Sequence, residues 1–390
     1  MQRAALGVGT RSQPIAQRVA HERVQPAPVR IVRRGEQRRV AGEPREALGR
    51  VHVVEQRRAQ RRMQPIGYAR ARQERGVVGR QVREQQLDEP VARWLPAFTP
   101  TLADGTPANI TLRHLLSHTA GLGYRFLEAD ADGPYARAGV SDGMDRASLS
   151  LAENVRRIAG VPLQFAPGTS WGYSLATDVV GALIEAVDGR PLADAVAALV
   201  TTPLGMTDTA FFTHDAARLA TPYVSTPDVP RRMADDDLVP VFDGTVGIRF
   251  EPARAFDATA WPSGGAGMVG TAHDCLTLLD TLRTGLDGWL APRWIDEMAR
   301  VQPGAHDLPD APGFGFGLGF SVLHDPVAAQ SPESVGTWRW GGAYGHAWFV
   351  DRAAGLTVVA LTNTLYEGMH GRIVTDVRDA VYGVDDRSAQ

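Results

Sequence analysis

From residue 87 onward the apolar positions fall into helical repeats, and past residue 300 they change to strand repeats. The stretch 87–96 (LDEPVARWLP) mixes proline with apolar anchors, as a packed loop and short helix would. Residues 111–118 (TLRHLLSH) predict a short helix ended by Gly121 and Gly123, and 151–159 predict another. The clearest helix spans 174–187: Val180, Ile184 and Val187 recur at i, i+4 and i+7, and Gly189 supplies the stop. Arg190-Pro191 leads into a helix over 192–199, and 271–282 and 289–298 add two more. The period then shortens. Residues 313–322, 336–340, 344–350 and 356–363 are rich in β-branched and aromatic side chains and bounded by Gly, Asp or Pro, which predicts strands. Residues 351–355 (DRAAG) read as a hairpin turn, and a closing helix over 373–382 would cover the resulting antiparallel sheet. A helical middle followed by antiparallel strands and a terminal helix is an α+β arrangement, not a doubly wound one.

Before residue 87 no such period exists. Residues 1–86 hold 20 arginines and 7 glutamates, a charge of +13, with Tyr68 as their only aromatic; the remaining 304 residues carry −16, so the net −3 averages two unlike parts. All 41 basic residues are arginine, and the chain contains no lysine. So little large apolar surface cannot offset chain entropy, and disorder is the default expectation for 1–86. A nucleic-acid-binding arm is one reading, but the arginines are diluted by glutamate and lack stacking aromatics, so nucleic acid is not the expected partner. Arg33-Arg34 is followed by no apolar signal region. The favoured reading is a misread start or shifted frame, with the authentic domain occupying 87–390. Nothing in the chain approaches the roughly 18 continuous apolar residues of a membrane span, and the expected location is the cytoplasm. The single cysteine, Cys275, excludes an internal disulfide framework and reads as a core residue.

Several constellations could carry chemistry. Gly168-Thr169-Ser170-Trp171-Gly172 matches the G-x-S-x-G nucleophile elbow, but that motif needs a strand directly before it, and Phe165-Ala166-Pro167 suits a loop. His114 and His118 stand at i, i+4, yet Leu115 occupies the place of the glutamate in a zinc-protease helix, so structural roles are expected and no metal or cofactor. Trp171-Gly172-Tyr173-Ser174 sets a tyrosine at the N-terminus of the strongest helix, where the positive helix end would favour a phenolate. Trp340-Gly341-Gly342-Ala343-Tyr344-Gly345-His346 places three glycines around a strand end, a pattern of close backbone approach that can leave N–H groups bare for an oxyanion.

Seven segments occurring in order carry a specific resemblance: 87–98 (LDEPVARWLPAF), 110–123 (ITLRHLLSHTAGLG), 165–189 (FAPGTSWGYSLATDVVGALIEAVDG), Pro191-Leu192, 203–206 (PLGM), 262–268 (PSGGAGM) and 340–351. Together they resemble the serine β-lactamase and penicillin-binding family, class C-like branch. The W-G-G form followed by Tyr-Gly-His is most similar to family VIII carboxylesterases. The resemblance implies an antiparallel sheet of five or more strands flanked by helices, an all-helical region, and an active site between them. It also implies an acyl-enzyme mechanism on small esters or lactams, in which a Ser-x-x-Lys serine attacks and a loop tyrosine helps the lysine take its proton. The tyrosine carries over to Tyr173; Leu175 stands where the family's Tyr-x-Asn has its asparagine. The family's third motif, K-T-G, appears as Trp340, Gly341 and Gly342, which tilts the expectation from β-lactam carboxylates to neutral esters. The oxyanion hole would use the N–H of Ala343, with Tyr124, Asp178 and His346 lining or bracing the pocket.

One part is missing. The family's Ser-x-x-Lys falls about two dozen residues before the LD-x-P segment, where this chain reads RRMQPIGYAR over 61–70. No serine lies between Ser12 and Ser117. The expectation is a serine-hydrolase domain without nucleophile, base amine or core helix, and inactive as written. The rival expectation is a non-catalytic relative that keeps the pocket for binding and uses the basic arm on nucleic acid.

Overall fold

The computed structural model describes residues 84–226, 229–285 and 289–384. The arginine-rich segment up to residue 83, with the disorder and frame shift expected of it, lies outside the described residues.

The helical region comes first. Helix α1 (Leu112–Leu116) is capped by the Thr111 hydroxyl, which accepts from the His114 N–H, and α2 (Pro134–Arg137) carries proline in its first turn. Helix α3 (Leu151–Ala159) starts at Ser150, whose side chain accepts from Glu153 N–H. Helix α4 (Ala176–Asp188) stops at Gly189, which adopts φ 77°. Helix α5 (Leu192–Val196) runs on through a widened turn into α6 (Thr202–Leu204). Leu115, Leu122, Ile158, Leu175, Val179 and Leu192 form the fully buried heart of this region.

Helix α4 turns differently from the expected face. Its buried side is Ala176, Val179, Ala182 and Leu183, whereas Val187 is exposed. Val180 and Ile184 face a cleft. The helix has two apolar sides, one for the core and one for the cleft, and the repeat traced the second through Val180 and Ile184 only.

Two short ladders follow: β1 (Tyr223–Val224) with β2 (Arg231–Arg232), and β3 (Asp237–Val239) with β4 (Ile248–Phe250). Neither was expected, because two- and three-residue strands carrying Arg231, Arg232 and Asp237 show no period-2 signal. Helices α7 (Ala272–Thr284) and α8 (Pro292–Met298) lead into a five-stranded antiparallel sheet. Its strands β5 (Phe314–Phe316), β6 (Ser321–Leu323), β7 (Trp338–Gly342), β8 (His346–Asp351) and β9 (Leu356–Leu361) pair in chain order. The expected single strand 313–322 is instead the β5–β6 hairpin, turned at Gly319 (φ 101°) and closed by Gly317 N–H donating to Phe320 O. Helix α9 (Ile373–Tyr382) closes the described chain as expected.

The sheet is covered on both faces. Leu276, Leu279, Leu282 and Ile295 of α7 and α8 pack on Val322, Trp338, Val350 and Val359. Val377 of α9 packs on Phe349, Val358 and Ala360. Strand β9 is therefore apolar on both faces, yet it is an edge: among the described residues only β8 pairs with it. Among the described residues no helix is long and apolar enough to cross a membrane.

Candidate active site

A backbone zipper positions the tyrosine loop. Gln164 N–H donates to Gly121 O, Gly168 N–H to Thr119 O, Gly172 N–H to His118 O and Leu175 N–H to Gly123 O, so residues 164–175 run beside 118–123. His118 locks this pairing from its side chain. It is a non-glycine residue at φ 56°, and its Nδ1 accepts from the Ser174 backbone N–H at 3.2 Å. Burial pushes its pKa down to about 3, so the ring is neutral. The ring packs 4.8 Å from that of Tyr173 and 5.3 Å from Phe316. His114 instead folds back on the start of α1, where Nδ1 accepts from Thr111 N–H. The two histidines thus have separate structural roles, as their spacing without a glutamate implied.

Tyr173 stands in an aromatic box, 5.2 Å between ring centres from Tyr124 and 5.4 Å from Trp340. The helix end does not make it a phenolate. Burial raises its pKa, hydrogen bonds to Trp340 and Tyr124 offset this only partly, and nearby Asp178 raises it further. Among the described residues no cation contributes, and desolvation outweighs the helix dipole. Leu175, in the place of the family's asparagine, is fully buried in the core and does not reach the cleft.

The opposite wall is the end of β7. Trp340, Gly341 and Gly342 pair with Trp348, Ala347 and His346. The glycine at 341 answers a close approach, since a Cβ there would run into the Gly368 carbonyl. Ala343 opens the turn that follows; its carbonyl accepts from Tyr366 N–H at 2.7 Å, while its own N–H makes no hydrogen bond among the described residues. His346 is exposed and faces the same cleft.

Asp178 braces rather than lines the cleft. Its Oδ1 accepts from Ser263 Oγ at 2.6 Å and from Gly265 N–H at 3.4 Å, and Gly264 packs where any Cβ would meet the Thr177 carbonyl. Arg254 supports the same loop: it donates to the Trp261 and Asp145 carbonyls and lies over the Trp261 ring. Burial pushes the Asp178 carboxyl up to about 6. An acid with a raised native pKa holds its proton more tightly when folded, so stability falls as pH rises from about 4 to about 6. The shift corresponds to about 3 kcal/mol. Asp178→Asn keeps the Oδ1 acceptor and cannot ionise, while the Oδ2 it replaces is buried without a partner. The variant should match the parent near pH 4 and melt at a higher temperature at pH 7.5. Thermal unfolding at the two pH values checks this; a variant less stable than the parent at pH 7.5 contradicts it.

All these walls belong to one cleft of about 1910 Å³, lined by Tyr124, Tyr173, Trp340, Gly341, Gly342, Ala343 and His346 among others. Two serines line it among the described residues. Ser263 Oγ donates to Asp178 and accepts from Gly265 and Ala266 N–H, which uses its one donor and both lone pairs. Ser321 Oγ donates to Arg339 O. Ser170 is exposed on its loop and absent from the cleft, and no strand precedes it. Arg339 reaches the cleft but is paired with buried Glu333. Cys275 is a partly buried thiol on α7, pushed up to about 11 by burial. The roles of Ser263 and Arg254 were not foreseen, since each reaches a partner far away in sequence, Asp178 and Asp145.

Comparison with known proteins gives the family and the fold. The "Beta-lactamase" family model matches residues 76–382. Esterase EstB of Burkholderia gladioli is 50% identical over 300 residues, 77% of this chain and 76% of that protein. The solved structure of EstCE1, described as a hydrolase with promiscuous acyltransferase activity, superposes with a TM-score of 0.74 at 49% identity, covering 77% of this chain and 80% of that one. A penicillin-binding protein from Bacillus halodurans shares the fold alone, at 20% identity, with a TM-score of 0.53 over 76% of this chain and 78% of that one.

Proposed function

Because the chain belongs to the Beta-lactamase family of serine hydrolases, we propose that its cleft is an acyl-transfer site for neutral carboxylic esters, lacking its nucleophile in the chain as given. The observation that carries this reading is that Tyr173 and the Ala343 N–H, which has no hydrogen-bond partner among the described residues, share one aromatic-walled cleft, with no cation at the phenol among those residues. The relative's name, an esterase, points the same way.

Three features select the ester. A β-lactam carboxylate needs a positive partner at the strand end, and Trp340 stands there. Arg339 is neutralised by Glu333. The rings of Tyr124, Trp171 and Trp340, all lining the cleft, suit an apolar acyl or alcohol group. In the reaction the Ala343 N–H would hold the developing oxyanion, and Tyr173 would relay the proton between nucleophile and leaving alcohol. Water then attacks the acyl-enzyme carbonyl, the bond to the nucleophile breaks, and the acyl group leaves as a carboxylic acid while the nucleophile regains its proton.

Cleft size supports the missing part. Ligand clefts are typically about 300–1,000 Å³, and this one is roughly twice that. Its lining also takes in Phe349, Val358 and Ala360 of the sheet and Ile373 and Val377 of α9, near the edge strand β9. A helix carrying the family's Ser-x-x-Lys would add its apolar side chains to that space. The nucleic-acid-binding alternative rests on residues outside the described ones, and no feature of the cleft favours it.

The test is a chimera in which residues 1–75 are replaced by the corresponding N-terminal segment of the Burkholderia gladioli esterase, where the family carries Ser-x-x-Lys. It should hydrolyse p-nitrophenyl butyrate and leave the β-lactam nitrocefin nearly untouched. A folded chimera, by circular dichroism and gel filtration, without ester turnover would overturn the proposal.

A further inference from the structure

Away from the acyl-transfer site, the geometry points to a transition-metal site formed by His306 and Asp307, on the loop that runs into the cleft rim, and His324 at the end of β6. One donor atom from each residue lies within 4.8 Å of the other two. His306 Nδ1 is 3.3 Å, and His324 Nε2 3.8 Å, from Asp307 Oδ1. The two imidazole rings are 4.5 Å apart between centres. Ligands around a tetrahedral ion with bonds of about 2.0–2.1 Å stand roughly 3.4 Å from one another, so small side-chain shifts would close the set.

A second observation is independent of this spacing. His324 Nε2 is buried yet has no hydrogen-bond partner, and it is directed at the Asp307 carboxylate. A buried ring nitrogen left without a partner is costly in a folded protein. A cation held between the two residues would satisfy it.

The backbone beneath the cluster is well fixed. His324 follows β6 directly, and its N–H donates to Gly313 O at 2.9 Å. Phe316 N–H donates to Ala305 O at 2.8 Å and Leu308 N–H to Phe314 O at 3.0 Å, so residues 305–308 are tied to β5. Ligands held on tied backbone lose little freedom on binding.

The donor set selects the metal. Two imidazoles and one carboxylate suit Zn²⁺, Co²⁺, Ni²⁺ or Cu²⁺, whereas Ca²⁺ and Mg²⁺ require oxygen cages. His306 and Asp307 are exposed, leaving a fourth position for water. The site has a structural consequence for the cleft: Leu308, Pro309, Asp310 and Ala311, directly after the ligands, line its wall. A bound ion would clip this rim to the end of β6.

The full-length chain, stripped with a chelator, is titrated with Co²⁺ while the visible d–d band is followed, and Zn²⁺ is then added as competitor. One equivalent of Co²⁺ should bind with a tetrahedral-type spectrum and be displaced by Zn²⁺. H306A and H324A should each weaken binding by at least the roughly 10- to 100-fold that loss of an outer-shell partner costs. H306A lies on an exposed position, so its result does not depend on folding. Unchanged affinity in both variants would place the metal on other histidines and overturn the site, as would a parent chain that binds no Co²⁺. Hydrolysis by the chimera is a separate readout, so loss of one claim leaves the other standing.

Discussion

A fluorophosphonate probe should leave this chain unlabelled, and its hydrolysis of p-nitrophenyl esters should stay near background. The probe reads an activated serine. An activated serine needs a hydroxyl free to attack and a base to take its proton. Among the described residues the serine hydroxyls at the cleft are spoken for: Ser263 has all three hydrogen-bonding positions filled, and Ser321 is tied to the Arg339 carbonyl. Ser174 is held against His118, which burial keeps neutral but also encloses. Exposed Ser170 makes no hydrogen bond to a base among the described residues and does not line the cleft. No lysine exists anywhere in the chain to act as the base amine, and Tyr173 alone is a poor base because its pKa lies above the ordinary phenol value. Removing a serine nucleophile in subtilisin costs on the order of a million-fold in kcat, and a deficit of that order relative to the chimera is expected here. Stoichiometric labelling of the unaltered chain, mapped to a serine by mass spectrometry, would refute the assignment of a missing nucleophile.

The sequence made some parts legible because their signals are local. Helices α3 and α9 fall where the pattern put them: Ser150 caps the first, and both have short apolar repeats with glycine just after, Gly160 and Gly383. The order of strands β7, β8 and β9 was equally plain, since DRAAG between two β-branched runs leaves few alternatives. The β5–β6 turn was hidden because Gly317-Leu318-Gly319-Phe320 continues the aromatic and apolar run without a polar break. At the site, Tyr173 and the glycines of β7 could be singled out from the chain itself, and family resemblance supplied their roles. Asp178–Ser263 and His118–Ser174 could not, because their partners lie 85 and 56 residues apart. The phenolate expectation failed for a related reason: a helix terminus is visible in sequence, but the ring-lined burial that outweighs it forms only in the fold.

That failure sets the last expectation. If packing alone raises the Tyr173 pKa, then a cation must be supplied before the phenol can accept a proton, and the lysine of Ser-x-x-Lys is the group the chimera brings back. In that chimera Tyr173→Phe removes the hydroxyl while preserving the ring that packs on His118, Tyr124 and Trp340. The ring contacts are kept, so the fold should survive and the chemistry should not. General acid–base groups contribute about 10²- to 10⁴-fold, and kcat for p-nitrophenyl butyrate should fall within that range while KM changes little. Ser170→Ala, on the exposed loop nearby, should leave both constants unchanged. Steady-state kinetics on the two variants separates the readings: a Tyr173→Phe chimera retaining more than about a tenth of the parental kcat removes the tyrosine from the proton relay, and loss of activity in Ser170→Ala would return the nucleophile-elbow reading of that loop.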